Sequence, residues 1–199
     1  MGRRNYTPPC VPTDVIMVNN IVKNNLHGIK IEAGNTLVES NNYVANNTSR
    51  NYFKTINPSF EIGTGSFIQE PMGWSETGDV LASYATNQAG AFSGAYQLRF
   101  WSSNPFNVTT YQTFNVPNGT YSLRARVRNT VGGQNSAVMI ATNFGGTDKS
   151  VSIANTVSAW TLYQITGINV TNGYCTIGFS VNSPSGISLE VDHVEFYMP

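Results

Sequence analysis

Hydrophobic and polar side chains alternate strictly along three segments of this 199-residue chain. In the clearest segment, the hydrophobic residues are Tyr121, Leu123, Ala125 and Val127, and the polar ones are Ser122, Arg124, Arg126 and Arg128. The same two-residue period runs through residues 96–101 and 175–181. Because successive side chains of a β-strand point to opposite faces, each segment predicts a strand with one buried and one solvated face.

Turn-forming residues separate these predicted strands. They are Pro117-Asn118-Gly119, Gly132-Gly133, Gly145-Gly146, Asn172-Gly173 and Pro184-Ser185-Gly186. Several half-buried strands between such turns are typical of an antiparallel sandwich, and no segment has the period of an amphipathic helix. The fold class predicted for the chain is therefore all-β, with an antiparallel β-sandwich (jelly roll) over residues 54–199.

Residues 14–53 follow a different pattern, an internal repeat of 22 positions. Residues 19–25 (NNIVKNN) recur as residues 41–47 (NNYVANN), and residues 15–16 and 29–31 have hydrophobic counterparts at the same offset. Short apolar pairs between Asn-containing corners predict a short right-handed parallel β-helix fragment over residues 1–53, because Asn tolerates the backbone of such corners. This part resembles the last coils of β-helical pectate lyases, polysaccharide hydrolases and phage tailspikes. The alternative is an Asn-rich linker whose repetition is accidental.

Two coils are fewer than the three or so repeats that a solenoid needs for a stable core. We therefore expect residues 1–53 to be the C-terminal coils of a parallel β-helix plus a linker. The implied partner is a catalytic β-helix domain, to which this chain is or once was covalently fused. The start of the sequence lacks the apolar segment of a signal peptide, so an export signal is expected either upstream of this chain or missing from it.

The charge balance excludes several classes of partner. The chain has 11 Lys and Arg against 11 Asp and Glu, and charged residues make up only 11% of it. Nucleic acid and anionic membrane surfaces require a basic face, so we expect neither as a partner. The two cysteines, Cys10 and Cys175, lie far apart and do not indicate a disulfide framework; Cys175 is expected to be a small buried residue.

No familiar catalytic motif is present. The sequence has no nucleophile elbow, no zinc-protease motif and no phosphate-binding loop, and His27 and His193 lack metal-ligating residues at a useful spacing. Acidic residues are also few for a glycosidase or a lyase. We therefore expect a chain that is not itself an enzyme.

Several motifs of residues 57–197 resemble a known family. They are residues 57–61 (NPSFE), 71–74 (PMGW), 110–113 (TYQT), 118–125 (NGTYSLRA), 132–135 (GGQN), 170–179 (VTNGYCTIGF) and 191–197 (VDHVEFY). Together they are similar to jelly-roll carbohydrate-binding modules, most of all the galactan-binding family 61 modules of bacterial endo-galactanases. The resemblance implies a secreted, non-catalytic module that targets a polysaccharide-degrading enzyme to β-1,4-galactan or another pectin-associated glycan.

The sequence departs from that family in three places. Relatives usually have Asp-Asp where this chain has Asp192-His193, often a Trp near Ile187-Ser188-Leu189, and an aromatic residue near Arg126. If those aromatic residues contact sugar, the preferred glycan differs from galactan.

The candidate binding residues are those whose chemistry suits sugars. Aromatic rings stack on the C–H face of a sugar, and Arg, Asn and Gln donate paired hydrogen bonds to its hydroxyl groups. The candidates on strands are Trp101, Arg126 and Arg128, and those in or near loops are Tyr111, Gln134 and Asn135. The alternative is an ordinary solvated strand face. Trp74 and Trp160 are expected to anchor the core instead.

A structural Ca²⁺ ion is a further expectation from the resemblance. Jelly-roll modules commonly hold Ca²⁺ with an early Glu and a late Asp, which correspond here to Glu61 and Asp192. Backbone carbonyl groups complete such a shell of six to eight oxygens. The alternative is a pair of capping carboxylates on adjacent strands.

Two other functions remain open at this stage. The chain is alternatively the C-terminal structural or receptor-binding domain of a β-helical phage tailspike or adhesin. A residual enzyme with its site in residues 1–53 is the third alternative.

Overall fold

The computed structural model of the chain describes residues 55–88 and 90–199 with their side chains, and before residue 55 the backbone of five strands. The strands are β1 Asp14–Val18, β2 Ile21–Lys23, β3 Thr36–Ser40, β4 Tyr43–Ala45, β5 Asn51–Phe53, β6 Ile68–Gln69, β7 Ser75–Gly78, β8 Ser83–Thr86, β9 Gln97–Phe100, β10 Phe106–Asn115, β11 Gly119–Asn129, β12 Ser136–Thr142, β13 Lys149–Ser152, β14 Val157–Val170, β15 Tyr174–Ser183 and β16 Leu189–Met198. A short 3-10 helix, Val80–Ala82, precedes β8.

Two antiparallel sheets form a sandwich. The five-stranded sheet has the order β13-β12-β15-β10-β7. The seven-stranded sheet has the order β14-β11-β16-β9-β8-β6, with β5 paired to β16 as its seventh strand. This architecture confirms the predicted all-β sandwich. Strands that are distant in sequence, such as β11 and β16, are neighbours because the chain crosses between the two sheets.

The core lies between the two sheets and consists of the inward-facing residues of the long strands. On β11 the inward residues are Tyr121, Leu123, Ala125 and Val127, and on β15 they are Cys175, Ile177, Phe179 and Val181. All eight are almost fully buried, as the two-residue period predicts. The free thiol of Cys175 is one of them, and burial raises its pKa to about 12.

Aromatic rings fill the centre of this core. Phe196 stacks between Tyr121 and Phe114, with ring centroids 4.9 Å and 5.6 Å away. Trp74 is 8% exposed and packs against Phe60 and Phe179, which confirms it as a core anchor.

The first part of the chain forms two parallel strand pairs. β1 pairs with β3 from Asp14↔Thr36 onward, and β2 pairs with β4 from Ile21↔Tyr43 onward. Both registers are offset by 22 positions, the period of the sequence repeat. The corners between these strands lie outside the described residues, so the β-helix itself stays a prediction.

β5 belongs by pairing to the sandwich, although the repeat places it in the first part. Phe53 pairs with Phe196 and Tyr52 with Tyr197, both on the last strand. The end of the first part is therefore hydrogen-bonded to the seven-stranded sheet. No helix of the described part of the chain is long and apolar enough to cross a membrane.

Candidate functional site

The solvated side of the seven-stranded sheet carries four arginines on two strands. Arg124, Arg126 and Arg128 alternate with the buried residues of β11, and Arg99 lies on β9. Register places Arg128 opposite Glu190, and Glu190 opposite Arg99. We call this surface the arginine face.

A buried carboxylate holds two of these arginines in place. Glu190, only 4% exposed, lies between Arg99 and Arg128, whose Nε atoms are 3.8 Å and 3.5 Å from its carboxylate oxygens. The Ser188 hydroxyl donates to Glu190 at 2.7 Å and accepts a hydrogen bond from Arg99 Nε at 2.8 Å. This network fixes the orientation of both guanidinium groups, so their remaining N–H donors are ordered before any ligand arrives.

Aromatic rings pack against two arginines of the arginine face, Arg126 and Arg128. The guanidinium carbon of Arg128 lies 4.6 Å from the ring centroid of Trp160, and that of Arg126 lies 4.6 Å from the centroid of Phe92. The Phe92 and Trp160 rings meet edge to face at 6.3 Å, and His193 lies 5.6 Å from Phe92. Alternating rings and guanidinium groups therefore form one continuous surface, with Phe92 40% exposed.

Trp101 follows Arg99 by two positions, directly after the end of β9, and it is 37% exposed. Its backbone N–H donates to the carbonyl oxygen of Ala82 at 2.8 Å, so the end of β9 is fixed. Of the predicted residues, Arg126 and Arg128 therefore lie together on the arginine face, and Trp101 directly follows the strand that carries Arg99.

The three candidates in or near loops do not join that face. Tyr111 points outward from β10 in the five-stranded sheet, on the opposite side of the sandwich. Asn135 precedes β12 in that same sheet, and its side chain donates to Asn182 Oδ1 at 2.6 Å. Gln134 is buried, with its amide oxygen bonded to Asn129 and its amide nitrogen to the Ala154 carbonyl. Both of its polar atoms are therefore used to fix the loop between β11 and β12.

Sequence reasoning assigned Trp160 to the core, and this was wrong. Trp160 is half-buried on the outer side of β14, an edge strand, where Arg128 covers it. Arg99 and Phe92 are not among the binding residues predicted from the sequence. The only sequence signal of Phe92 is that it is an aromatic residue between two small ones, Ala91 and Ser93.

The loop that carries Phe92 is held in place by two carboxylates, Glu61 before β6 and Asp192 on β16. Glu61 accepts hydrogen bonds from the backbone N–H groups of Ala95 and Tyr96 at 2.9 Å and 2.8 Å. Asp192 accepts one from the N–H of Ser93 at 2.8 Å. The two residues predicted as Ca²⁺ ligands therefore bind the same loop, although they lie near opposite ends of the sandwich sequence.

Asp192 is a fully buried carboxylate on a distorted stretch of β16. Burial raises its pKa to about 7, against the opposing effect of hydrogen bonds from Ser93 and His193. His193 has a φ of 51°, at the point where the pairing with β11 shifts between Arg124 and Arg126. The bulge turns the carboxylate towards the loop.

These groups suit a hard cation such as Ca²⁺. The donors at Glu61 and Asp192 are all oxygens, and a buried carboxylate whose pKa is raised by desolvation is stabilised by a nearby cation. Among the described residues no cluster of three or more His, Cys, Asp or Glu side chains exists, so other ligands would be backbone carbonyl groups, the Ser93 hydroxyl or water.

No protein-family model matches the chain. A curated relative, a 1,6-alpha-glucosyltransferase from Sporosarcina globispora, is 31% identical over 105 residues. The match covers 52% of this chain and only 8% of that protein. The chain therefore spans a small part of the relative.

Solved structures include a family 61 carbohydrate-binding module in complex with β-1,4-galactotriose. It is 27% identical to this chain with a TM-score of 0.63, and the match covers 76% of this chain and all of that one. The sandwich has the fold of a jelly-roll carbohydrate-binding module. The resemblance predicted for this module from its sequence is thereby confirmed.

A second solved structure is similar to this chain in fold alone. It is the enzymatically active domain of tailspike protein 4 from bacteriophage CBA120, with 15% identity and a TM-score of 0.55. The match covers 82% of this chain and 26% of that one.

Proposed function

We propose that this chain is a non-catalytic carbohydrate-binding module whose glycan binds on the arginine face. The observation that carries the proposal is the continuous surface of aromatic rings and guanidinium groups formed by Phe92, Trp160, Arg126 and Arg128. The similarity to a module solved with a galacto-oligosaccharide supports the same function.

Binding would use two kinds of contact. The exposed rings of Phe92 and Trp101 offer apolar surfaces on which the C–H face of a sugar stacks. The guanidinium groups of Arg99 and Arg128, fixed by Glu190, offer paired donors to neighbouring hydroxyl groups. Because the donors are ordered in advance, less conformational entropy is lost on binding.

The proposed ligands are plant cell-wall glycans. β-1,4-Galactan is the first candidate, because the similar module was solved with β-1,4-galactotriose. An α-1,6-linked glucan belongs in the same panel, because the curated relative is named for that linkage. Affinity electrophoresis of the full chain against galactan, arabinan, xylan, polygalacturonate and dextran tests the proposal; no retardation of the folded chain in any of these gels would refute it.

Matched variants locate the site. Phe92→Ala and Trp101→Ala should each weaken retardation about tenfold, since an aromatic contact contributes about 1.5 kcal/mol. Tyr174→Ala is the control, because Tyr174 is 52% exposed and lies at the start of β15 in the other sheet. Retardation that is lost equally in the control would place the site elsewhere.

We also propose that Glu61 and Asp192 bind a structural Ca²⁺ ion beneath the Phe92 loop. Support comes from the convergence of both carboxylates on residues 93–96. The bound ion would neutralise the two carboxylates, and the loop would then keep Phe92 in place over Arg126. Isothermal titration of the EDTA-treated chain with Ca²⁺ measures this directly, and Glu61→Gln with Asp192→Asn should abolish the binding heat.

The wider context is a secreted polysaccharide-degrading enzyme. The parallel strand pairs at a 22-residue offset support fusion to a β-helical catalytic domain, which the module would keep near its substrate at high effective concentration. The same strand pairs also favour a second candidate, the C-terminal domain of a tailspike or adhesin. Measurement of the molecular mass in solution distinguishes the enzyme-associated module from the tailspike or adhesin domain. A stable trimer without glycan affinity indicates the tailspike or adhesin domain.

A further inference from the structure

Arg126 differs from the other three arginines of the arginine face. Arg124 is paired with Glu195, and Arg99 and Arg128 share Glu190. In residues 55–88 and 90–199 no ion pair includes Arg126. Its guanidinium carbon lies 4.6 Å from the centroid of the Phe92 ring. It is thus a half-buried cation without a carboxylate from this part of the chain.

Among residues 55–88 and 90–199, the strand neighbours of Arg126 do not pair with its charge. Its neighbour on β14 is Leu162, an exposed apolar side chain, and its neighbour on β16 is Asp192. The Asp192 carboxylate is turned towards the loop, where it accepts hydrogen bonds from the N–H groups of Ser93 and His193. The positive charge of Arg126 is therefore available to a ligand at the centre of the aromatic cluster.

We propose that the glycan bound on the arginine face is acidic, and that Arg126 binds the carboxylate of a uronic acid residue. This inference rests on the proposed function and specifies the class of its ligand. A guanidinium group presents a planar fork of N–H donors that matches the two oxygens of a carboxylate. The ring of Phe92 stacks beside it, so one sugar residue meets both the charge and the apolar surface that a uronic acid requires.

The test compares the full chain with Arg126→Gln by isothermal titration against three ligands of matched length. These are an oligogalacturonate, a neutral β-1,4-galacto-oligosaccharide and a sulfated galacto-oligosaccharide. The native chain should prefer the oligogalacturonate, with an affinity that falls as salt is added. Arg126→Gln should weaken that affinity by about 10- to 100-fold, as for a lost hydrogen bond to a charged group, and should weaken binding of the neutral ligand much less.

Two further variants make the result specific. Arg126→Lys keeps the charge and loses the planar fork, so its affinity for the oligogalacturonate should be intermediate. Lys149→Gln removes the same unit of charge from β13 in the other sheet, and should bind like the native chain. Thermal unfolding of each variant shows that it is folded.

The outcomes separate this inference from the proposed function. Binding of the neutral ligand with equal or higher affinity, unaffected by Arg126→Gln, overturns the acidic ligand and retains a carbohydrate-binding module. Preference for the sulfated ligand overturns the assignment to a carboxylate. Absence of binding to every glycan by the folded chain overturns both.

Discussion

The backbone N–H of Ser93 donates a hydrogen bond of 2.8 Å to the carboxylate of Asp192, although the two residues are 99 positions apart. This bond attaches the loop between β8 and β9 to the outer side of β16. Phe92, the residue before Ser93, is thereby placed over Arg126. The position of Phe92 in the proposed binding surface therefore depends on a hydrogen bond to one buried carboxyl group.

The stability of the Ca²⁺-free protein should fall as the pH rises from about 4 to about 7. Burial raises the folded-state pKa of Asp192 to about 7, so its contribution is fully present below its unfolded pKa and is lost as the pH passes through the folded value. Glu76, whose pKa burial also raises, acts in the same direction. Thermal unfolding in EDTA across this range measures the slope.

Asp192→Asn should reduce that slope, because it removes the larger of the two contributions. Added Ca²⁺ should stabilise the native protein most above pH 7, where the carboxylate is ionised. A slope that is identical in Asp192→Asn would show that other groups determine the pH dependence.

A second prediction concerns Glu190, which orders two arginines at once. Glu190→Gln removes the negative charge between Arg99 and Arg128 and should lower the free energy of unfolding by about 1–3 kcal/mol. The loss of stability would be larger if the ion pairs were fully buried, but the side chains of Arg99 and Arg128 are each 17% exposed. Urea unfolding measures the change. Glu70→Gln, at an exposed position, is the control and should change stability by less than about 0.5 kcal/mol.

The sequence predicted the core of the sandwich well, because each long central strand has one face against the other sheet. The alternation of Tyr121 to Val127 is therefore matched by complete burial of the hydrophobic residues. The same alternation placed Arg126 and Arg128 on the outer side.

The candidate site was predicted only in part, since alternation does not say which sheet a strand joins. Tyr111 has the right chemistry but lies on the other sheet, because β10 pairs with β7 and β15. Trp160 lies on an edge strand whose pairing with β11 shifts between Val127 and Asn129, so its sequence lacks a clean period. Long-range pairing decides both positions.

A third prediction tests the close approach of β10 and β15. A Cβ atom added at Gly178 would lie 2.5 Å from the Thr110 carbonyl oxygen and 2.8 Å from the Tyr111 Cβ. Because backbone atoms cannot move aside without bending the strand, Gly178→Ala should destabilise the protein by about 1–3 kcal/mol.

Gly119→Ala is the matched control for that variant. Its added Cβ would meet the terminal methyl group of Met198 at 2.5 Å, and this flexible side chain can rotate away. We expect a change of less than about 1 kcal/mol in the free energy of unfolding. Equal losses in the two variants would show that backbone crowding is not the cause.

The last prediction separates the two tryptophans that sequence reasoning had treated alike. Trp74 packs between Phe60 and Phe179 in the core, so Trp74→Ala should lower the free energy of unfolding by about 3–5 kcal/mol. Trp160 contacts Arg128 and Phe92 on the solvated side, so Trp160→Ala should cost about 1 kcal/mol and weaken glycan binding about tenfold. Urea unfolding and affinity electrophoresis of both variants provide the two readouts. If Trp160→Ala unfolds as easily as Trp74→Ala and yet binds glycan when folded, Trp160 has a structural role. The glycan would then bind nearer to Trp101.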